Sequence, residues 1–320
     1  MNEQSQAEGS VAPAIIDLTA EGAGVDGGEA ELADFGTRAG LDHVHIHSFA
    51  DAAHVGSISR AMGGPPYSLH LHGDLPVYGT DHLLKARGAS FAAAAARPMQ
   101  RQLVEAGIPE ERTVTMWMGV DTTRFTPAEA PPPPGPLRLI SVSRLALCKG
   151  HRYALRALRL ALDAGLDATY EIIGRGPDAE EIRAEMVRLG LEAKVKMVGA
   201  LGEDQILERL RASDACVLSS VGLGEASPVA VMEAMSCGLA PVVSVIGGTP
   251  DMIRHGETGL LVAQEDVPGL CAAFQRLRDS AERARLGAAA RASAVADFDS
   301  RVLARKLLDR IELAHRTAKG

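Results

Sequence analysis

Two cations and two carboxylates stand at positions that suit the binding of a phosphorylated ligand with free hydroxyls. Arg144 and Lys149 share the segment "SRLALCKG", and Glu225 and Glu233 have seven residues between them. Fixed cations beside glycine N–H groups are typical of phosphate sites. An unpaired carboxylate in an apolar helix is costly, so Glu233 predicts donors such as sugar or ribose hydroxyls. The alternative for Arg144 and Lys149 is that both are exposed surface cations. The alternative for Glu233 is that it pairs with an arginine or lysine elsewhere in the fold.

A predicted helix starts between the two carboxylates. Ser227 and Pro228 suit the N-cap and the first helical position, and Gly238 suits the stop. The free N–H groups and the positive dipole end of such a helix would face an anion. An ordinary capped helix without a ligand is the alternative.

Four histidines fall on two predicted strands in the N-terminal half. His45 and His47 share one face of the first strand, and His70 and His72 share one face of the second. Metal binding is conceivable, but histidines without a nearby Cys or Glu are a weak zinc signal, so a polar active-site edge is favoured. His72 stands out because the segment "HGD" ends its strand.

Short apolar strands and amphipathic helices alternate from Asp42 onwards, which predicts β-α-β units and parallel sheets. The segment "APPPPGP" interrupts this rhythm, because four prolines cannot continue a helix or a central strand. A further strand is predicted at Ala12–Leu18, and the last helix is expected to present a solvated face. We therefore predict an α/β fold with an N-terminal domain at 1–130, a linker at 131–136, a C-terminal domain at 137–300 and a C-terminal helix at 301–320.

Composition limits the classes of function. The chain has 320 residues, a net charge of −8 and 3% aromatic residues, which disfavours a nucleic-acid partner. The stretch Ser227–Ile246 contains Glu233 and two prolines, and it indicates a helix, a turn and a strand rather than a membrane span. We expect a cytoplasmic protein with at most peripheral contact with the inner membrane face. Scattered cysteines favour core positions in a reduced setting over a zinc site; they are Cys148, Cys216, Cys237 and Cys271.

Ligands of open parallel sheets bind beyond the carboxyl ends of the strands. Gly, Ser, Arg and Lys dominate the segments that follow the predicted C-terminal strands, namely "SRLALCKG", "GRGP", "GAL", "SSVGLGEAS" and "IGGTP". This composition predicts a phosphate site at that edge of the sheet.

These segments, in this order, resemble the motifs of the family 4 retaining glycosyltransferases (glycosyl transferases group 1). The resemblance is carried by "SVSRLALCKG", "IIGRGP", "VGALGEDQI", "GLAPVVSVIGGTPDMI", "GETGLLV", "GVDTTRF" and the spacing of the two glutamates. It implies a GT-B fold, in which two Rossmann-like, doubly wound parallel-sheet domains face each other across a cleft. It also implies metal-independent, retaining transfer of a sugar from a nucleotide-diphosphate sugar to a glycan, lipid-linked or small-molecule acceptor.

The resemblance assigns roles to the matching residues. Arg144 and Lys149 would hold the diphosphate and offset the charge of the leaving group. Glu225 would lie by the donor sugar, Glu233 would accept hydrogen bonds from the ribose, and His72 would lie by the sugar and the acceptor. No metal ligand is expected, and a front-face retaining route needs no protein nucleophile. The other implied donor-site residues are Gly174, Val198 and Gly199 (the last two near the base), with Ala226, Ser227 and Pro228 near the phosphates.

The chain departs from the family pattern in its N-terminal part, which is expected to be reduced. The segment with Gly27 and Gly28 is a candidate for a displaced glycine loop, while Met118 and Asp251 stand where Asn and Glu are common. A second hypothesis is therefore a shortened relative that binds nucleotide without transferring sugar. A third is a hydrolysing epimerase of the same fold, although its acid/base carboxylates are not evident.

Overall fold

The computed structural model describes residues 32–34, 36, 38–130, 135–223 and 225–319. These residues form two separate parallel sheets, with helices packed against both. Three sequence predictions lie outside the described residues. They are the strand at Ala12–Leu18, the loop with Gly27 and Gly28, and the proline run at 131–134.

The first sheet has four parallel strands in chain order, β1-β2-β3-β4. The strands are β1 (Val44–Ile46), β2 (Tyr67–Leu71), β3 (Ala92–Ala94) and β4 (Thr113–Thr115). The helices are α1 (Asp51–Ala61), α2 (His82–Lys85) and α3 (Arg97–Glu105), with 3₁₀ turns at Leu75–Tyr78 and Glu110–Arg112. Side chains alternate along the strands, so Leu69 and Leu71 face a core shared with Met99 and Leu103 of α3. His70 of β2 faces the opposite side.

The second sheet has six parallel strands in the order β10-β9-β8-β5-β6-β7. The strands are β5 (Leu137–Val142), β6 (Ala168–Ile173), β7 (Val195–Gly199), β8 (Ala215–Leu218), β9 (Ala240–Ser244) and β10 (Leu260–Val262). The helices around it are α4 (His151–Asp163), α5 (Ala179–Arg188), α6 (Glu203–Arg211), α7 (Val229–Ser236), α8 (Thr249–Met252), α9 (Val267–Arg276) and α10 (Ser280–Asp297), with a 3₁₀ turn at Leu147–Lys149. The chain runs from β5 outward to β7, then returns to β8 on the other side of β5. The strand order therefore reverses between β5 and β8.

The strands β8 and β9 of the second sheet are buried at every position, as expected for a parallel sheet that is covered by helices on both faces. Leu155 and Leu158 of α4 pack with Phe274 of α9 on one face. Met232 and Met235 of α7 pack on the other face. The burial of α7 on nearly every side explains why its sequence lacks a polar stripe, with Glu233 as its single charge.

The C-terminal helix, α11 (Ser300–Lys319), presents the solvated face that the sequence predicts, since most of its described side chains are exposed. Its other face packs on the first half of the chain, where Leu307 and Ile311 contact Phe91, the residue before β3. The Arg310 guanidinium lies over the Phe91 ring at 5.3 Å from its centre. The helix belongs in sequence to the second half and covers part of the first, so it joins the two sheets.

The structure also tests two predictions from the sequence, one on a membrane span and one on the cysteines. None of the helices in the described ranges combines the length and apolar character that crossing a bilayer requires. Cys216 and Cys237 are buried as predicted, and burial raises the pKa of each thiol to about 12. Cys148 is exposed, which contradicts a core role for it, because it lies in the loop that follows β5.

Candidate functional site

Lys149 and Glu225 form a buried ion pair where the strand order reverses. Lys149 follows β5 and Glu225 follows β8, the two strands that flank the reversal. The ammonium donates to Oε1 of Glu225, and the Ser220 hydroxyl donates to the same oxygen at 2.8 Å. The side chains are 15% and 7% exposed. A pair removed from water to this degree depends on both partners, since either charge alone would be uncompensated.

The two loops that carry this pair are tied together through their backbones. The Val221 N–H donates to the Cys148 carbonyl at 2.8 Å, and the Ser219 hydroxyl donates to the Gly150 carbonyl at 2.9 Å. Gly150 has φ +65°, and a Cβ there would lie 1.8 Å from the backbone carbonyl oxygen of Ser219. Glycine is therefore required at the start of α4, because the loop after β8 crosses directly over it.

The loop after β9 supports Glu225 from the other side. The Gly248 N–H donates to the Glu225 carbonyl at 3.0 Å. A Cβ on Gly247 would lie 1.7 Å from that same oxygen, and Gly247 has φ +53°. A Cβ on Gly248 would meet the carbonyl of Ala226 at 2.0 Å. The Gly-Gly pair thus lets one backbone touch another and sets the position of the glutamate.

The start of α7 differs by one residue from the prediction. The helix begins at Val229 with Pro228 as its N-cap residue, and no side chain caps it. The Ser227 hydroxyl instead accepts from the Met118 N–H at 3.3 Å. It therefore pairs with a segment that precedes the linker and does not cap the helix. Within the described ranges, the N–H groups of Ala226 and Ser227 donate to no protein acceptor. They stay available to an anion, and Gly238 ends the helix as predicted.

Arg144 stands apart from the ion pair. Its side chain is exposed, and its guanidinium has no ion-pair partner among the described residues. The loop that carries it is held by His151, whose Nε2 lies 3.0 Å from the Ser143 hydroxyl and 3.4 Å from the Arg144 carbonyl oxygen. Burial lowers the pKa of His151 to about 4. The ring is therefore neutral and positions the loop without adding charge.

Two predicted donor-site residues, Gly174 and Gly199, form a backbone contact. The Gly174 N–H donates to the Gly199 carbonyl at 2.8 Å, which joins the ends of β6 and β7. A Cβ on Gly174 would lie 1.9 Å from the backbone carbonyl oxygen of Ser143. The register of the two strands shifts so that Ile173 pairs with Gly199, and Val198 is left out of the pairing. Such irregularities re-aim the chain at the end of a strand.

Glu233 has no hydrogen-bond or ion-pair partner in the described part of the chain, which argues against the arginine or lysine partner weighed from the sequence. It is half-buried on α7. Burial first, and the charge of Glu203 second, raise its pKa to about 7. The carboxylate therefore faces a region that lacks protein donors.

We expect Glu233→Gln to stabilise the protein at pH 8 and not at pH 4.5. Because its pKa rises from 4.5 to about 7 on folding, the folded protein binds the proton more tightly. The stability that protonation supplies is lost as pH rises through this window, and the loss is complete above about 7. With allowance for partial exposure, the gain at pH 8 should be about 1–3 kcal/mol. Denaturant unfolding at both pH values measures it; an equal gain at both would contradict the assignment.

His72 lies one residue beyond β2, whereas the sequence predicted it to be on the strand. Its Nε2 lies 3.1 Å from Nδ1 of His47, and its Nδ1 is buried without a hydrogen-bond partner within the described residues. Burial, and then the proximity of His47, lower its pKa to about 4. His72 is therefore a neutral ring with one unused nitrogen at the carboxyl edge of the first sheet.

The structure thus joins some predicted site residues and not others. Lys149 contacts Glu225, and Gly174 contacts Gly199. No hydrogen bond or ion pair within the described residues joins Arg144, Glu233 or His72 to another predicted site residue. Four positioning residues were missed from the sequence: Ser220, His151, Gly247 and Gly248. The run "IGGTP" after a strand was the signal for the glycines, but nothing local points to Ser220 or His151.

The second sheet and its loops match a known family. A sequence model described as "Glycosyl transferases group 1" matches residues 123–293, more than half of the chain. WcaL of Escherichia coli (strain K12), named for colanic acid biosynthesis, is 35% identical over 213 residues, which cover 64% of this chain and 52% of that protein. The amylovoran biosynthesis glycosyltransferase AmsK of Erwinia amylovora is 32% identical over 221 residues, 68% of this chain and 54% of that protein. The chain spans about half the length of these relatives.

The fold has a counterpart among solved structures. Anabaena HepE, crystallised with UDP, superimposes with a TM-score of 0.79 and 23% identity over 89% of this chain and 81% of its own. HepE has also been solved with UDP-glucose. This likeness confirms the predicted GT-B fold of two parallel-sheet units. The match over 123–293 includes the ion pair, the glycine loops and α7, and it shows that this protein belongs to the glycosyl transferases group 1 family.

Proposed function

We propose that this protein is a metal-independent, retaining glycosyltransferase that uses a nucleotide-diphosphate sugar as donor. The buried Lys149–Glu225 pair carries the proposal, because it lies where the strand order reverses, and ligands of such sheets bind there. The UDP-glucose complex of HepE supports a nucleotide-sugar donor. The names of WcaL and AmsK favour a glycan acceptor over the lipid-linked or small-molecule alternatives.

The chemistry asked of the site is the departure of a nucleoside diphosphate from the anomeric carbon. Negative charge grows on the diphosphate, so fixed positive groups aimed at it lower the barrier. One N–H of the Lys149 ammonium donates to Glu225, which leaves two N–H donors for phosphate oxygens. The free N–H groups of Ala226 and Ser227 add donors at the start of α7. Arg144 supplies an exposed second cation from the loop held by His151.

The carboxylates then serve two different parts of the donor. Glu225 is fixed by Lys149 and Ser220, and its second oxygen is available to a sugar hydroxyl. Glu233 has no donor of its own within the described residues, and ribose hydroxyls would supply two. His72 would lie across the cleft at the acceptor side, where its neutral ring can donate or accept a hydrogen bond.

Nucleoside diphosphates test the donor site directly. We expect UDP, GDP or ADP to raise the melting temperature in the presence of EDTA, with UDP as the first probe. At a concentration 100 times Kd, a single site should stabilise the fold by about 2.7 kcal/mol. Thermal scanning measures the shift; inorganic phosphate at the same concentration is the control. If none of the three nucleotides moves the melting temperature, the proposed donor site is wrong.

A nucleotide-binding module without transfer is the second candidate. The first sheet favours it, because that sheet has four short strands in the described part of the chain. Release of UDP, GDP or ADP from a panel of their sugars, with glycan and lipid-linked acceptors, separates the two. Acceptor-dependent release above that of a Glu225→Ala control supports transfer, while nucleotide binding with release at the control level supports the module.

A further inference from the structure

We propose that His45, His47 and His70 form a binding site for a divalent transition-metal ion of the Zn²⁺ type on the first sheet. Strands β1 and β2 are parallel neighbours, with His45 opposite Ser68. Alternate residues of both strands therefore project from the same face. One ring nitrogen from each of the three histidines lies within 4.8 Å of the others. This site is independent of the proposed donor site, which lies on the second sheet.

The closest pair of nitrogens already has the separation that zinc requires. Nε2 of His45 lies 3.4 Å from Nδ1 of His70. Two nitrogens bound to one tetrahedral zinc ion at 2.0–2.1 Å are about 3.3–3.4 Å apart. An ordinary hydrogen bond would bring the two atoms closer, to roughly 2.7–3.2 Å. The spacing therefore suits a shared ion better than a shared proton.

The hydrogen bonds behind these rings are compatible with lone pairs that face each other. Nε2 of His70 donates to the Met116 carbonyl at 3.0 Å, so its Nδ1 carries a lone pair. The Ser68 hydroxyl lies 2.7 Å from Nδ1 of His45 and 2.9 Å from Nε2 of His43. When Ser68 donates to His43 and accepts from His45, the free lone pair of His45 faces that of His70. Carbonyl and hydroxyl partners of this kind orient histidine ligands in metal sites.

His47 would supply the third ligand by a turn of its ring. It is exposed, so its ring can turn, and the rings of His45 and His47 are 4.8 Å apart. Three imidazoles leave one position of a tetrahedral ion for water. An ion here would also restrain His47, which contacts His72.

Cobalt(II) titration of the untagged full chain tests the site, after EDTA treatment and desalting. Tetrahedral Co²⁺ has strong visible absorption bands, and Zn²⁺ should abolish them by displacement. We expect one equivalent per chain. His47→Gln changes an exposed residue, so it should fold normally and weaken binding by at least ~10-fold, as even the loss of a supporting hydrogen bond can do. His45→Gln should do the same.

His255→Gln is the matched control, because His255 is an exposed histidine in the loop before β10, away from the first sheet. It should bind cobalt like the unmodified protein. Tetrahedral bands that persist in both His45→Gln and His47→Gln would overturn the site. So would the absence of saturable binding in the unmodified protein. Circular dichroism of each variant checks that it is folded, and a loss of binding in folded His47→Gln alone already supports the proposal.

Discussion

Lys149→Ala should abolish the thermal shift by UDP and lower sugar transfer at least ~100-fold, the loss expected when one preorganised charge-stabilising donor is removed. The change removes the ammonium that would meet the diphosphate. It also leaves Glu225 as a buried carboxylate without its cation, with only the Ser220 hydroxyl donating to it. Such a charge repels a phosphate and costs about 3–5 kcal/mol of stability. Both effects act in the same direction on nucleotide binding.

The double variant Lys149→Ala/Glu225→Ala separates stability from binding. Removing both charges should restore much of the stability lost in Lys149→Ala, because no buried charge remains uncompensated. It should not restore the shift by UDP. Lys194→Ala is the control, since Lys194 pairs with Asp167 on the surface, before strands β7 and β6 begin. A UDP shift in Lys149→Ala equal to that of the control would rule out Lys149 as a phosphate ligand.

Of the glycine-to-alanine substitutions in the site, Gly247→Ala should lower the stability and the UDP binding of the protein the most. Its Cβ would lie 1.7 Å from the Glu225 carbonyl oxygen, which neither backbone can accept without moving. The left-handed backbone conformation costs alanine about 1–2 kcal/mol, and overpacking adds about 1–3 kcal/mol. We expect the melting temperature to fall and UDP binding to weaken together, because relief of the clash displaces Glu225.

Gly190→Ala isolates the backbone part of this effect. Gly190 has φ +63°, close to the +53° of Gly247, and no atom lies within 4 Å of its added Cβ. Urea unfolding of both variants should show a loss for Gly247→Ala that exceeds the loss for Gly190→Ala by at least ~1 kcal/mol. Equal losses, with UDP binding intact in both, would mean that the Gly247–Glu225 contact has no role in the site.

Most strands, helices and glycine-rich edges could be predicted from the sequence. Periodicity and punctuation are local signals: the apolar run of β5, the amphipathic α4 and the stop at Gly238 each depend on neighbouring residues. The start of α7 was missed by one residue, because Ser227 accepts from Met118, which is 109 positions away. A local capping rule takes no account of a partner at that separation.

The ordered motifs were enough to predict the family. They also predict a phosphate site, because residue type and spacing decide what a loop can bind. They did not predict that Lys149 and Glu225, 76 positions apart, would neutralise each other, since that depends on which strands become neighbours. The packing of α11 on the first sheet and the alignment of the histidines on β1 and β2 have the same origin. Strand order and register arise from the packing of the whole chain, and only the folded structure reveals them.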